Sequence, residues 1–299
     1  MTDRSFRILK RGDEQALKRF LVSRLDSSLF LYSNMLAAGL EDTGERFAGT
    51  YAAAFEGSEV VAVAGLFWNQ TLVLQAPVEL AALMRLSQQG CGRPLKRLVG
   101  PDDQVAAAIA ELALTADHLQ MDEPERLYSL ALDRLVMPAL LAGGRVHARP
   151  IRPEDEELVT EWRLGYQREM LLAEESDQLR ATTSRNVQAE IASGKTWLLE
   201  VEGERVSCTS FNASVRDEGI ASIVQVGGVY TPPEYRSHGY ARAVVAASLA
   251  DARSRGYQQS VLFTGNGNFP AQKAYEALGF SLIGSYRITV LRQALADLG

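Results

Sequence analysis

Cysteine and histidine are nearly absent. Two cysteines, Cys91 and Cys208, and three histidines, His118, His147 and His238, are dispersed through 299 residues. Nothing in that spacing resembles the close ligand pairs of a zinc or other metal centre, so no metal is expected. A disulfide framework is excluded too; either a single Cys91–Cys208 bridge or two buried or incidental thiols remain. No arginine-rich block stands out and the net charge is −6, which removes the usual electrostatic footprint for nucleic acid. No apolar run approaches a membrane span, "PALLAGG" being far too short. The opening "MTDRSFRILKRGDEQ" lacks the apolar core of a secretory signal. These absences point to a cytoplasmic protein. What is present is an ordinary globular composition, 46% hydrophobic and 23% charged, enough to build a substantial core in one large domain or two medium ones.

Hydrophobic spacing and turn residues divide the chain into two comparable runs. In the first, "DEQALKRFLVSRLDSSLFLYSNMLAAGL" reads as two helices, with Leu17, Phe20, Leu21 and Leu25 near helical spacing and Gly39 as a stop. "RFAGTYAAAFEGSEVVAVAGLFW" gives a hairpin around "EGS", and "QTLVLQ" a third strand. Helices follow at "PVELAALMRLSQQ", with Pro77 in its first turn, and at "PDDQVAAAIAELAL". The strands "LKRLVG" and "ERLYSLALDRL" complete this run. The second run restarts after "PALLAGG" with a strand, a turn at Asp155 and a helix on which Leu158, Trp162 and Tyr166 share a face. A hairpin at "EGE", the long strand "GIASIVQVGGVYT", the helix "GYARAVVAASLADARSRG", and strand, helix and final strand at "QSVLFT", "PAQKAYEALGF" and "SLIGSYRITV" follow. The shared order suggests an internal repeat; alternating helices and strands that merely look alike are the other explanation. Pro138, Gly143 and Gly144 place the boundary between residues 1–142 and 143–299.

The stretch "VYTPPEYRSHGYARAVVAASLADA" sets an arginine and a glycine between a strand and a helix. A helix start has unpartnered N–H groups and a dipole that favours negative charge. Small residues let an anion approach those groups, and Arg236 adds a charged donor nearby. A plain strand–turn–helix connection, with Pro232 and Pro233 in the turn, explains the same residues.

The flanking sequence adds weight to the first reading. Arg236, Gly239 and Ala241 in "YRSHGYA", followed by Asn268, Tyr275, Gly279 and Phe280 in "NFPAQKAYEALGF", resemble two motifs of the GCN5-related N-acetyltransferase (GNAT) family, in the family's order. The resemblance is clear over residues 147–290. It implies an α/β (α+β) fold: a mixed, centrally splayed sheet flanked by helices, here in two tandem copies. Residues 143–299 would be the catalytic copy. Residues 1–142 would be a degenerate one, since "LVLQAPVELAAL" has neither the arginine nor the glycine at the matching place.

The resemblance implies acetyl-CoA, or a longer acyl-CoA, as cosubstrate and an amine as acceptor. Backbone N–H groups from Arg236 through Ser237, His238, Gly239, Tyr240 and Ala241 would cradle the pyrophosphate. The backbones of Val229, Tyr230 and Thr231 would line the pantetheine arm, and Asn268 would touch that arm or hold its own helix start. Gly239 permits close approach, and Ala241, where many relatives have glycine, is small enough to serve. His238 is read as a surface residue giving only its N–H, and Tyr235 and Tyr240 as packing residues. Acyl transfer requires that the amine lose a proton, that the thioester oxygen meet donors and that the thiolate gain an acid. An N–H near Val229 would serve the oxygen. Tyr275 would protonate the thiolate, or else is an aromatic core residue. The glycines around Asn266 suggest a mobile loop. No carboxylate lies in "ASIVQVGGVY", where Gln225 is central; Glu169, Glu174 and Glu175 are the other candidates and no base is assigned. A non-catalytic acyl-CoA sensor or scaffold is the alternative, and a purely structural dimer module a third. A monomer is favoured over a homodimer, because a duplicated chain satisfies internally what single domains do between subunits.

Overall fold

The computed structural model describes residues 4–143 and 145–298. Its contacts divide into two compact units. One runs to Leu127 and adds the stretch from Gly284 onward; the other is Tyr128–Ile283.

The first unit contains β1 (Arg4–Ile8), α1 (Glu14–Val22), α2 (Leu25–Ala38), β2 (Gly49–Glu56), β3 (Glu59–Phe67), β4 (Thr71–Gln75), α3 (Leu80–Cys91), β5 (Leu95–Pro101) and α4 (Asp102–Glu111). β6 (Leu119–Ala131) begins in it. The unit is completed from far along the chain by β12 (Ser281–Leu295), which pairs antiparallel with β5 from Tyr286↔Pro101 to Leu295↔Leu95. Strand order is β1-β2-β3-β4-β5-β12. Alanines of β2 and β3 and leucines of β4 and β5 form its core with α3 and α4. Small residues suit so crowded a sheet: a Cβ at Gly100 would sit 2.9 Å from the Leu74 carbonyl oxygen. Pro77 precedes α3 instead of opening it.

The second unit holds β7 (Val146–Pro150), α5 (Glu156–Leu171), α6 (Asp177–Ser193), β8 (Thr196–Val201), β9 (Glu204–Val215), β10 (Ile223–Tyr230), α7 (Tyr240–Ser254), β11 (Gln259–Gly265) and α8 (Phe269–Glu276). Its order is β7-β8-β9-β10-β11-β6. The end of β6 belongs here: the Leu132 N–H donates to the Gln258 carbonyl at 2.8 Å and Gln259 Nε2 to Ser129 Oγ at 2.9 Å. α7 and α8 pack on one face of this sheet, over Val224, Val226 and Leu262. α5 packs on the other through Val159 and Trp162, over Leu198, Cys208 and Tyr230. The β8–β9 hairpin turns through Glu202 (φ 51) and Gly203 (φ 90), both left-handed as a tight hairpin demands.

Two elements are absent from the sequence reading. β1 is short and exposed over most of its length. In α6 only Thr183 and Val187 are buried, so no apolar stripe announces it; its signals are the caps, Ser176 Oγ accepting from the Leu179 N–H and a left-handed Gly194. With them included, the two units run through the same order of strands and helices. The boundary read at residues 142 and 143 falls inside the second unit, and residues from Gly284 pack with the first.

Candidate active site

The site begins where β10 and β11 part. The two strands pair in parallel from Ile223↔Gln259 to Gln225↔Val261 and no further, although β10 continues to Tyr230 and β11 to Gly265. On its other side β10 skips register with β9 between Gly227↔Ser210 and Tyr230↔Cys208. Neither ladder therefore pairs Val229, and a wedge opens beside it with backbone groups free to bond a guest.

Beyond the wedge lie the Pro232–Pro233 turn and the start of α7. Ser237 (φ 67) and Gly239 (φ 78) are both left-handed, a turn geometry in which successive amides converge on a concavity. A serine held there carries strain of the kind found at functional sites. Gly239 is the N-cap and no side chain caps the helix. Arg236 behaves differently from expectation. Its N–H bonds the Pro233 carbonyl, and its guanidinium is drawn inward, Nε to the Thr231 carbonyl at 2.9 Å and Nη2 to Glu169 Oε2 at 2.6 Å. The run of open amides thus starts at Ser237. The cation beside it is Arg242, whose Nη2 would lie 3.9 Å from a Cβ at Gly239 and whose buried Nε has no hydrogen-bond partner. A cation in the first turn opposes the helix dipole, and that mismatch is the sequence signal that sets Arg242 apart. His238 donates from Nδ1 to the Arg236 carbonyl at 2.7 Å and stacks on Tyr240, leaving its backbone to the hollow. Tyr235 and Tyr240 pack against the core.

α5 closes the site from the opposite face. Glu169 accepts from the Tyr230 hydroxyl through Oε1 at 3.0 Å and from Arg236 through Oε2. A Cβ at Gly165 would meet that hydroxyl at 2.6 Å, which accounts for a glycine in mid-helix. Burial first, and then the Glu169 carboxylate, raises the Tyr230 phenol above its ordinary value, so it stays a neutral donor. One turn and a half earlier, Arg163 donates from Nη1 to the Gly228 carbonyl at 2.6 Å and from Nη2 to Glu190 Oε2 at 2.9 Å and to Ser210 Oγ.

The last contributor is α8. Asn268 caps it, Oδ1 accepting from the Ala271 N–H at 3.3 Å. Tyr275 is 8% exposed and meets Phe280 edge-on at 6.1 Å. The Gly265–Asn268 turn is tied down, because buried Gln272 donates to the carbonyls of both Gly265 and Asn266 at 3.0 Å; the mobile loop expected from its glycines is not what forms. Gln225 is 2% exposed, donates Nε2 to the Val226 carbonyl at 2.7 Å and leaves Oε1 buried without a partner. Of the carboxylates weighed from the sequence, Glu169 has one partner on each oxygen, Glu175 pairs with Arg168 and Arg180, and Glu174 is exposed.

The family model of the acetyltransferase (GNAT) family matches residues 156–280, the span that carries every feature above. Residues 156–280 are a GNAT acetyltransferase domain. A curated relative, N-acetyltransferase family 8 member 2 of Rattus norvegicus, is 27% identical over 104 residues, 35% of this chain and 46% of that protein's length. Among solved structures, a Drosophila protein superposes with a TM-score of 0.68 at 13% identity, covering 95% of this chain and 98% of that one. A tandem GNAT protein from the clavulanic acid biosynthesis pathway superposes with a TM-score of 0.57 at 15% identity, covering 97% and 98%. The mixed, tandem GNAT-like fold thus extends over the whole chain.

Outside the acetyltransferase domain, β4 and β5 of the first unit likewise pair only from Thr71↔Arg97 to Val73↔Val99, but beyond that parting the Ala76 N–H is taken by Gln104 Oε1 of α4 at 2.6 Å. α3 starts from a left-handed Glu79, whose carboxylate faces Arg4. That carboxylate makes no cap bond to the helix start, but a negative charge beside that start repels a second anion there. Among the described residues no His/Cys/Asp/Glu group is arranged to hold a metal, and no helix is long and apolar enough to cross a membrane.

Proposed function

We propose that the acetyltransferase domain moves an acetyl group from acetyl-CoA to a primary amine of a small molecule or peptide, by direct attack of the amine in a ternary complex. The observation that supports this reading best is one continuous path: the unpaired edge at Val229 leads into the uncapped start of α7, where Arg242 stands without a partner. The amides from Ser237 onward and Arg242 would hold the pyrophosphate. Val229 would bond the pantetheine arm and offer its N–H to the thioester oxygen as charge develops there. An acyl-CoA supplies the activated acyl group; the chain's task is to hold it, to keep water from it and to move protons. Tyr275 would give its phenolic proton to the departing sulfur. Asn268 acts through the start of α8, which it caps. Thr231 contributes less than its neighbour, since Arg236 already holds its carbonyl.

One observation favours a second reading, a non-catalytic acyl-CoA sensor. The polar residue at the closed end of the wedge is the neutral, buried Gln225, and Glu169 has both oxygens engaged. Calorimetry with acetyl-CoA, after copurified CoA is stripped, tests both readings at once; failure to bind acetyl-CoA, longer acyl-CoAs and free CoA would remove them. A panel of amines with detection of released thiol then separates them. Turnover above thioester hydrolysis is the outcome expected of an enzyme, and binding with no turnover of any amine is that of a sensor.

A further inference from the structure

We infer that Arg163 is a positioning residue for the reaction: by holding the Gly228 carbonyl it aims and polarises the Val229 N–H that faces the thioester oxygen. This rests on the role given to Val229 above. Gly228 O and Val229 N–H belong to one peptide group, planar and trans, so the two bonds point in opposite directions. Arg163 Nη1 takes the carbonyl at 2.6 Å from the α5 side. The N–H is therefore turned away from α5, toward the face where the Val229 side chain packs against the cluster that contains Tyr275.

The local backbone is built for this. Gly228 and Val229 of β10 stand opposite the single residue Thr209, between the pairs Gly227↔Ser210 and Tyr230↔Cys208, which is a bulge that frees one peptide from the ladder. Gly228 has φ +56, and a Cβ there would run into the Arg163 guanidinium. The arginine cannot drift. It is 8% exposed, with Nη2 fixed by Glu190 and Ser210, and Thr196 Oγ1 bonds the same Glu190 oxygen at 2.9 Å. A charged donor on a carbonyl makes a strong hydrogen bond, and polarising the carbonyl strengthens the N–H of the same peptide as a donor.

A purely structural ion pair explains less. Buried pairs contribute little net stability, and Arg163 Nε is left buried without a partner, an arrangement that an apolar side chain would avoid. The two roles differ in what they move. An ion pair that only ties α5 to α6 affects folding; a donor that aims Val229 affects the thioester.

The test uses the full chain as wild type, Arg163→Met, Arg163→Lys and the double variant Arg163→Met/Glu190→Met, which removes both charges should the single variant fail to fold. The readouts are the Kd for acetyl-CoA, kcat with any amine that turns over, and the infrared carbonyl band of bound acetyl-CoA labelled with carbon-13 at the thioester carbonyl. The band needs no turnover. In a folded methionine variant kcat should fall about 10- to 100-fold with Kd within about threefold, and the band should move from its wild-type position toward its value in water. Lysine should restore part of both. A folded methionine variant with the wild-type band and kcat overturns the inference while leaving the parent reading intact. A wild-type protein that binds no acetyl-CoA overturns the parent reading and this inference with it.

Discussion

Gly239 is the position at which the proposed acetyl-CoA binding should separate most cleanly from folding. At φ +78 an L-residue sits in the left-handed region, yet the nearest atom to an added Cβ is Arg242 Nη2 at 3.9 Å. Alanine therefore meets no clash and costs the fold only the left-handed penalty, about 1–2 kcal/mol. For a unit of this size that lowers the melting temperature by roughly 2–8 °C. The new methyl, however, points toward the guanidinium that would hold the pyrophosphate. If it separates one phosphate oxygen from a charged donor, the loss is about 1.5–3 kcal/mol, or roughly 10- to 150-fold in Kd. Gly239→Val adds branching in the same direction and should weaken binding further than alanine does. The assay is calorimetry with acetyl-CoA, paired with thermal melts of the free proteins. A Gly239→Val protein that melts cooperatively and binds acetyl-CoA within about twofold of wild type would refute the reasoning, since no anion could then rest against this turn.

Tyr275→Phe keeps the ring beside Phe280 and removes only the hydroxyl; kcat should drop about 10- to 100-fold while Kd for acetyl-CoA barely moves, and an unchanged chemical step in single-turnover kinetics would make Tyr275 a packing residue. Acetyl-CoA should titrate to one molecule per chain, because in the first unit Gln104 takes the Ala76 N–H and the Glu79 carboxylate stands beside the helix start; a calorimetric stoichiometry of two would contradict that reasoning. Glu125 supplies a pH test in the first unit. Burial, and then neighbouring Glu123, pushes its carboxyl up to about 8, so the folded protein holds a proton that the unfolded chain releases near pH 4.3. Stability contributed at this position is therefore present at low pH and lost as pH rises toward 8. Glu125→Gln should raise the melting temperature more at pH 8 than at pH 5; an equal shift at both would mean the carboxyl titrates normally.

The parts legible in the sequence were those written in consecutive residues. Gly239 at the start of one helix and Asn268 at the cap of the next form where the sequence places them, because each is set by its own turn. Arg236 shows the limit of that legibility: it stands in the right motif, but its guanidinium answers to Glu169, 67 positions away. Arg163 and Gly228 lie 65 apart, and neither residue alone announces the other. Arg242 went unread in the sequence; its placement in the first turn of α7, against the dipole, is the clue. α6 escaped because a helix that buries so little has no periodic stripe. The partner of the last strand was not readable at all, since "SLIGSYRITV" pairs equally well, on paper, with any sheet edge.

That last strand bears on the order in which the protein is made. The first unit has its helices and five strands long before its sheet is complete, because the strand that covers β5 comes from residues 286–295. Until those residues exist, β5 presents an open row of N–H and C=O groups, the kind of edge that recruits strands from other chains. The second unit ends at Ile283. The earlier-made half is therefore the one whose sheet waits for the last residues of the chain. A product cut short before β12 would keep the turn at Ser237–Gly239 on a molecule whose β5 edge stays open to strands from other chains.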